Sequence, residues 1–298
     1  MDSNALLMPF GFLGLYMLLE AADWGIGLAA PFLAHSKEEK EAAMGLWKPG
    51  LDGNELWLVL GLMLLWAGMP ATAGSMPTLL LAGFAGLGAL LRLVAVFVRN
   101  PFLLKGMQGI SLLSLVLMGL SLSSFMTGSL LSVTGIVLAI WMLIAFFQIG
   151  CLYGAVKVVN PLGEKFRASS LVSAVLGLIV YVVLALLLYV NTGDLYQYGL
   201  FFWTSMGGAI LLSLVAFILT RMRHAPIGLA FAFISLGCAL ATVLSSVSSV
   251  LFVHMGATGG TVAQEPSTIL LGVAAVWSLA ALGWKLFRQK EYVPGDSL

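Results

Sequence analysis

Charge is what this sequence lacks. Of its 298 residues only 9% are Asp, Glu, Lys or Arg, against about 25% in soluble globular domains. That poverty excludes a soluble enzyme, a nucleic-acid-binding domain and a disordered chain, each of which needs a polar or basic exterior. The net charge is +1, too small to recruit an anionic polymer through a long-range field. Cysteine is nearly missing too. Cys151 and Cys238 lie far apart in apolar runs without CxxC spacing, so neither a disulfide framework nor a zinc site is expected, and both read as small buried hydrophobes. A basic n-region is also missing, since the first Lys or Arg is Lys37. The opening apolar stretch is therefore expected to be a retained helix rather than a cleaved signal peptide.

What is present is apolar bulk: 60% hydrophobic residues and 34 glycines, with a mean hydropathy of +1.04. Crossing the roughly 30 Å of bilayer hydrocarbon takes about 20 apolar residues in a helix. Nine runs approach or exceed that length, near 5–34, 54–70, 77–98, 108–127, 130–157, 168–190, 198–220, 226–252 and 267–287. In lipid the backbone must satisfy itself, and segments this long do so only as helices. The expectation is an all-α polytopic bundle, one integral membrane domain over 1–298. Thirteen of the fourteen Lys and Arg residues fall in alternate connectors or at their edges, with Arg92 the exception. The positive-inside rule then puts the N-terminus outside and the C-terminus in the cytoplasm. The longest loop, about 34–53, holds the run KEEKE, expected to be a solvated helical turn.

Ionisable groups inside such helices are costly and mark function by default. Glu20 and Asp23 lie within the first run, and Asp52 and Glu55 open the second. The i, i+3 spacing sets each pair on one helical face. With the expected topology all four carboxylates share the cytoplasmic half of the membrane. Carboxyl groups withdrawn from water take up protons more readily and can pass them on. Asp52, beside Gly53 and Asn54, is equally suited to capping the second helix. Arg92 and Arg99, seven residues apart, share a face of the third helix: Arg99 can reach the interface, and Arg92 is a counter-ion candidate for an acid. His35, His224 and His254 are the only histidines, too few to ligate several haems, so no metal or haem is assigned to this chain. Ser245, Ser246, Ser248 and Ser249 can line a wet path, or bond back to their own helix. Gly83, Gly86 and Gly88 are candidates for close helix approach.

Two of these segments carry a resemblance. EAADWGIG, Glu20 to Gly27, resembles the DGFDxGxG signature of cytochrome bd-type quinol oxidase subunit II. LDGNELWL, Leu51 to Leu58, is similar to that family's WDGNxxWL. Gly150, Tyr153, Lys157, Arg167 and Ala168 sit at spacings similar to its link between helices five and six. Ala21 and Ala22 depart from the first pattern and Leu51 from the second, as in a divergent, short member. The resemblance implies a subunit without catalytic residues or haem of its own, beside a haem-bearing large subunit holding haems b and d. It places Asp52 on a cytoplasmic proton route for reduction of O2 to water; beside it Glu55, Asp23 and Glu20 are expected to assist, and Arg92, Arg99 and Asn54 to serve structural roles. Small accessory subunits, membrane lipid and a structural quinone are compatible with it; nucleic acid is not. A bacterial or archaeal cell membrane is the expected location. A proton- or ion-coupled secondary transporter is the alternative, weakened because the intramembrane acids are confined to the first two helices.

Overall fold

The computed structural model describes residues 3–46, 54–68, 102–158, 161–192 and 199–255, with isolated positions at 79, 82–83, 86–87 and 90. Eight helices fill them: α1 (Ser3–Leu33), α2 (Lys37–Leu46), α3 (Asn54–Gly68), α4 (Phe102–Thr127), α5 (Val133–Lys157), α6 (Pro161–Thr192), α7 (Gly199–Arg221) and α8 (Ala225–Met255). No strand occurs among the described residues. Six helices are long and apolar enough to cross a membrane, those of α1 and α4 through α8, while α3 contributes the shorter apolar stretch Leu56–Leu65. The chain is thus a multi-pass helical membrane protein. The expected runs at 77–98, apart from scattered helical positions, and at 267–287 lie outside the described residues.

Local chemistry sets the ends of these helices. Gly128, at φ +69°, ends α4 in a left-handed turn that glycine adopts without strain. Ser132 then caps α5, its Oγ accepting the Gly135 N–H at 3.0 Å, which satisfies one of the orphan donors of the first turn. The Ser123 and Ser132 hydroxyls bond at 2.7 Å, closing the α4–α5 hairpin. Pro161 opens α6, at a position where its missing N–H costs nothing.

α1 is the hub. In its most apolar window 83% of residues are buried, against 22% for α7 at the periphery, and α1 packs on α3, α4, α5 and α8. Phe10 meets Phe125, with ring centroids 6.4 Å apart, while Gly27 lies against Ser111, so α4 runs antiparallel to α1. The hairpin sets α5 antiparallel to α4, hence parallel to α1. α1 and α5 touch through backbone: a Cβ on Gly25 would run into the Phe146 carbonyl and come within 2.6 Å of Gly150 N. Gly83 and Gly86, candidates for close approach within the chain or against another subunit, have nothing within 4 Å of a built Cβ among the described residues, and Gly88 lies outside them. On the far side, Thr242 of α8 bonds Tyr181 of α6 at 3.1 Å and Ser205 of α7 at 2.9 Å. That buried polar knot ties three apolar helices where area burial alone gives little orientation.

The KEEKE run forms α2, as expected, and it is also docked. Ser36 and Glu39 make a capping box: Ser36 Oγ accepts the Glu39 N–H at 3.1 Å and Glu39 accepts the Ser36 N–H at 3.3 Å. Glu39 also accepts from the His35 N–H at 2.8 Å and pairs with Lys165 of α6 at 2.6 Å. The Lys165 hydrogen bond, then the His35 N–H, hold its carboxyl down at about 2. A depressed folded pKa contributes stability above the ordinary value of about 4.3, and that stability fades as pH falls from there toward 2. Glu39→Gln removes both the ion pair and the charged cap. It should speed amide hydrogen exchange in α2 about fivefold at pH 7, from a cap worth about 1 kcal/mol, with little difference from wild type near pH 2. Equal exchange of the two proteins at pH 7 would show that α2 is held by its apolar face alone.

Candidate functional site

The first-helix acids lie one turn apart on α1. Glu20 is fully buried and Asp23 is 5% exposed, on the helix with the most enclosed surroundings of the bundle. Both are engaged in polar interactions, as ionisable groups at such depth must be. Trp24, between the pair and Gly25, meets Tyr16 edge-on at 5.9 Å and lies tilted against Phe146 at 6.1 Å, which shields this stretch of α1 with aromatic surface. The short contact at Gly25 and Gly150 fixes the height of α1 against α5 and so the depth of both carboxylates.

The second acid pair is less fully defined. Asn54 and Glu55 open α3; their side chains, and Asp52 altogether, fall outside the described residues. Arg92 and Arg99 also fall outside them. α3 packs directly on α1, with Phe12 stacked on Trp57 at 5.4 Å, so the helix carrying Glu20 and Asp23 neighbours the helix that Asn54 and Glu55 open.

Lys157, which the charge alternation assigns to the cytoplasmic connection after this helix, is 9% exposed, with its ammonium 5.8 Å from the Tyr153 ring centroid. It stands on α5 one heptad past Gly150, on the stripe that meets α1, about 10 Å beyond the glycine contact at 1.5 Å per residue. Counting cations by connector ignores which way a side chain points. The signal that could have found it was the Gly150, Tyr153, Lys157 spacing, which repeats on one helical face.

Other candidates separate from the acids. Ser245 and Ser246 donate to the Thr242 carbonyl at 3.0 and 2.8 Å, the back-bonding alternative rather than an open hydroxyl row; the side chains of Ser248 and Ser249 are not among those described. Among the described residues no three His, Cys, Asp or Glu side chains converge as a metal group. A small cleft of about 40 Å³ between α5, α6, α7 and α8 is lined by Trp141, Gln148, Tyr181, Ser213 and Ser235. It has no carboxylate in its wall.

Fold and site together define a class: a polytopic α-helical membrane protein whose central, first helix carries a buried carboxylate pair. Residues 4–284 match the family described as cytochrome bd terminal oxidase subunit II, and the chain belongs to that family. A stretch of 65 residues is 34% identical to the cytochrome bd ubiquinol oxidase subunit 2 of Bacillus subtilis (strain 168), covering 22% of this chain and 19% of that protein. The matched stretch thus spans about a fifth of that relative's length.

Proposed function

We propose that this chain is the haem-free partner of a haem-bearing large subunit in a terminal quinol oxidase. It scaffolds that subunit and conducts protons from the cytoplasm toward it. The observation that carries the reading is Glu20, wholly buried on the central helix with Asp23 one turn away, in a chain belonging to an oxidase-subunit family. A purely structural apolar helix has no use for two carboxylates at that depth, where each is expensive. In this reading protons enter at Asp52 and Glu55 and reach Asp23 and Glu20 across the α1–α3 contact. Arg92 and Arg99 balance the negative charge. The N-terminus faces out, the whole chain forms one membrane domain, and the location is a bacterial or archaeal cell membrane.

The haems of the large subunit supply the electron chemistry that reduces O2 to water; this chain's residues hold and move protons. Consuming protons taken from one side while quinol oxidation releases them on the other charges the membrane without a pump. Relay requires neighbours within hydrogen-bond reach or one water apart. Asp52→Asn keeps the size and capping ability of the side chain but removes its proton exchange. In the purified complex it should slow oxygen consumption by roughly tenfold or more with haem content unchanged. Full turnover in a fully assembled Asp52→Asn complex would refute the proton role and leave only the scaffold.

A further inference from the structure

The helix that faces the first-helix acid carries two hydroxyl groups that the packing does not use. Ser114 and Ser121 of α4 are buried, 3% and 0% exposed, and neither Oγ has a hydrogen-bond partner among the described residues. A buried hydroxyl left unbonded loses the hydrogen bonds it had in water and gains none in return. Serines in apolar helices ordinarily avoid the cost by bonding back to a carbonyl three or four residues earlier, as Ser124, Ser173 and Ser205 do here. Ser114 and Ser121 do not.

Their register is fixed at both ends. A Cβ on Gly27 would meet Ser111 and Met107, and Phe10 meets Phe125. Both helices run antiparallel between these contacts, and heptad steps keep to one face. One heptad from Gly27 is Glu20; one heptad from Met107 and Ser111 are Ser114 and Met118. A second step reaches Leu13 on α1, and Ser121 with Phe125 on α4. Glu20 therefore stands opposite Ser114 and Met118, and Ser121 lies about 10 Å farther along the same seam. Tyr16, fully buried, is one turn from Glu20 on the way to Ser121.

We infer that this α1–α4 seam holds ordered water, bound by the Ser114 and Ser121 hydroxyls, and that the water at Ser114 hydrates the Glu20 carboxyl. A buried water needs two to four polar partners; here the Ser114 hydroxyl and the Glu20 carboxyl stand opposite one another across the seam. The opposite end of the seam is closed to water by Gly27 against Ser111, so the seam is wet around Glu20 rather than continuous along α4. The water site stands on geometry alone; its use in holding a proton at Glu20 rests on the proposed proton role.

Two measurements on the intact oxidase complex test the inference. A density map that resolves ordered waters elsewhere in the complex should show density within hydrogen-bond reach of Ser114 Oγ, and Ser114→Ala should abolish it. Radiolytic hydroxyl-radical labelling, which generates the oxidant from bound water in place, should oxidise the thioether of Met118 although it is only 2% exposed. In the Ser114→Ala, Ser121→Ala double variant that label should fall several-fold with haem content retained. A dry Ser114, or a Met118 label that the double variant leaves unchanged, overturns the inference. Either result would stand apart from the Asp52→Asn experiment, which tests the proton route itself.

Discussion

Replacing Gly25 by alanine should abolish recovery of the assembled complex. The added methyl would have to enter the space of the Phe146 carbonyl and of Gly150, whose Cα would lie 2.7 Å away. Overpacking a core costs about 1–3 kcal/mol when side chains can shift, and occasionally more. Here the obstacles are backbone atoms, so the cost falls at the top of that range or beyond it, and α1 and α5 must move apart. Because α1 is also the surface on which α3, α4 and α8 pack, separation at one crossing loosens the others. Gly150→Ala meets the same obstacle from the other side, since its Cβ would strike the Gly25 carbonyl carbon and oxygen.

The control is Gly11→Ala, on the same helix, where a Cβ has nothing within 4 Å. It should be recovered at wild-type yield, because alanine in an exposed helical position is preferred over glycine by up to about 1 kcal/mol. The readout is the yield of complex that retains its haem after detergent extraction, with thermal stability of whatever survives. Equal yields of the Gly25→Ala and wild-type proteins would mean that the α1–α5 crossing is wider than the structure has it.

Much of this architecture is legible in the sequence because lipid leaves the chain few options. The apolar runs that become α1 and α4 through α8 need no partner to declare themselves: length and composition suffice. The Ser36–Glu39 box is equally local and readable. What escapes the sequence is every relation between distant residues. Gly25 and Gly150 each stand in a segment resembling the oxidase family, yet nothing in either segment says that the two touch. Lys165 and Glu39 are 126 residues apart, and a solvated helical turn was the simplest expectation for a run that is in fact docked. Lys157 fits the charge alternation by position while its side chain is buried, since the positive-inside rule reports which side of the membrane a residue is on and not which way it faces. Glu20 and Asp23 were readable as candidates because an acid in a membrane helix is an energetic anomaly; Ser114 was not, because serine is common there and only its lack of a partner distinguishes it.

Glu20→Gln should slow oxygen consumption by the complex roughly a hundredfold, the low end of what a positioned proton-transferring group contributes, without loss of haem. Glutamine fills the same volume and keeps an oxygen acceptor, so a site fully buried at Glu20 loses its titratable proton and nothing else of comparable size. Glu20→Asp should restore most of the rate, because the family signature resembled by EAADWGIG has aspartate at this position and the shorter acid remains next to a bound water. A structural ion pair gives a different pattern. If Glu20 only neutralises a cation, the Gln variant leaves a buried charge uncompensated, at about 3–5 kcal/mol, so haem-loaded complex is lost while the molecules that do assemble turn over normally. Rate per haem and haem per complex, measured on the same preparations, therefore separate the two roles. A Gln variant that assembles fully and consumes oxygen at the wild-type rate removes Glu20 from the proton route, and the burial of two carboxylates on α1 would then need an explanation in packing alone.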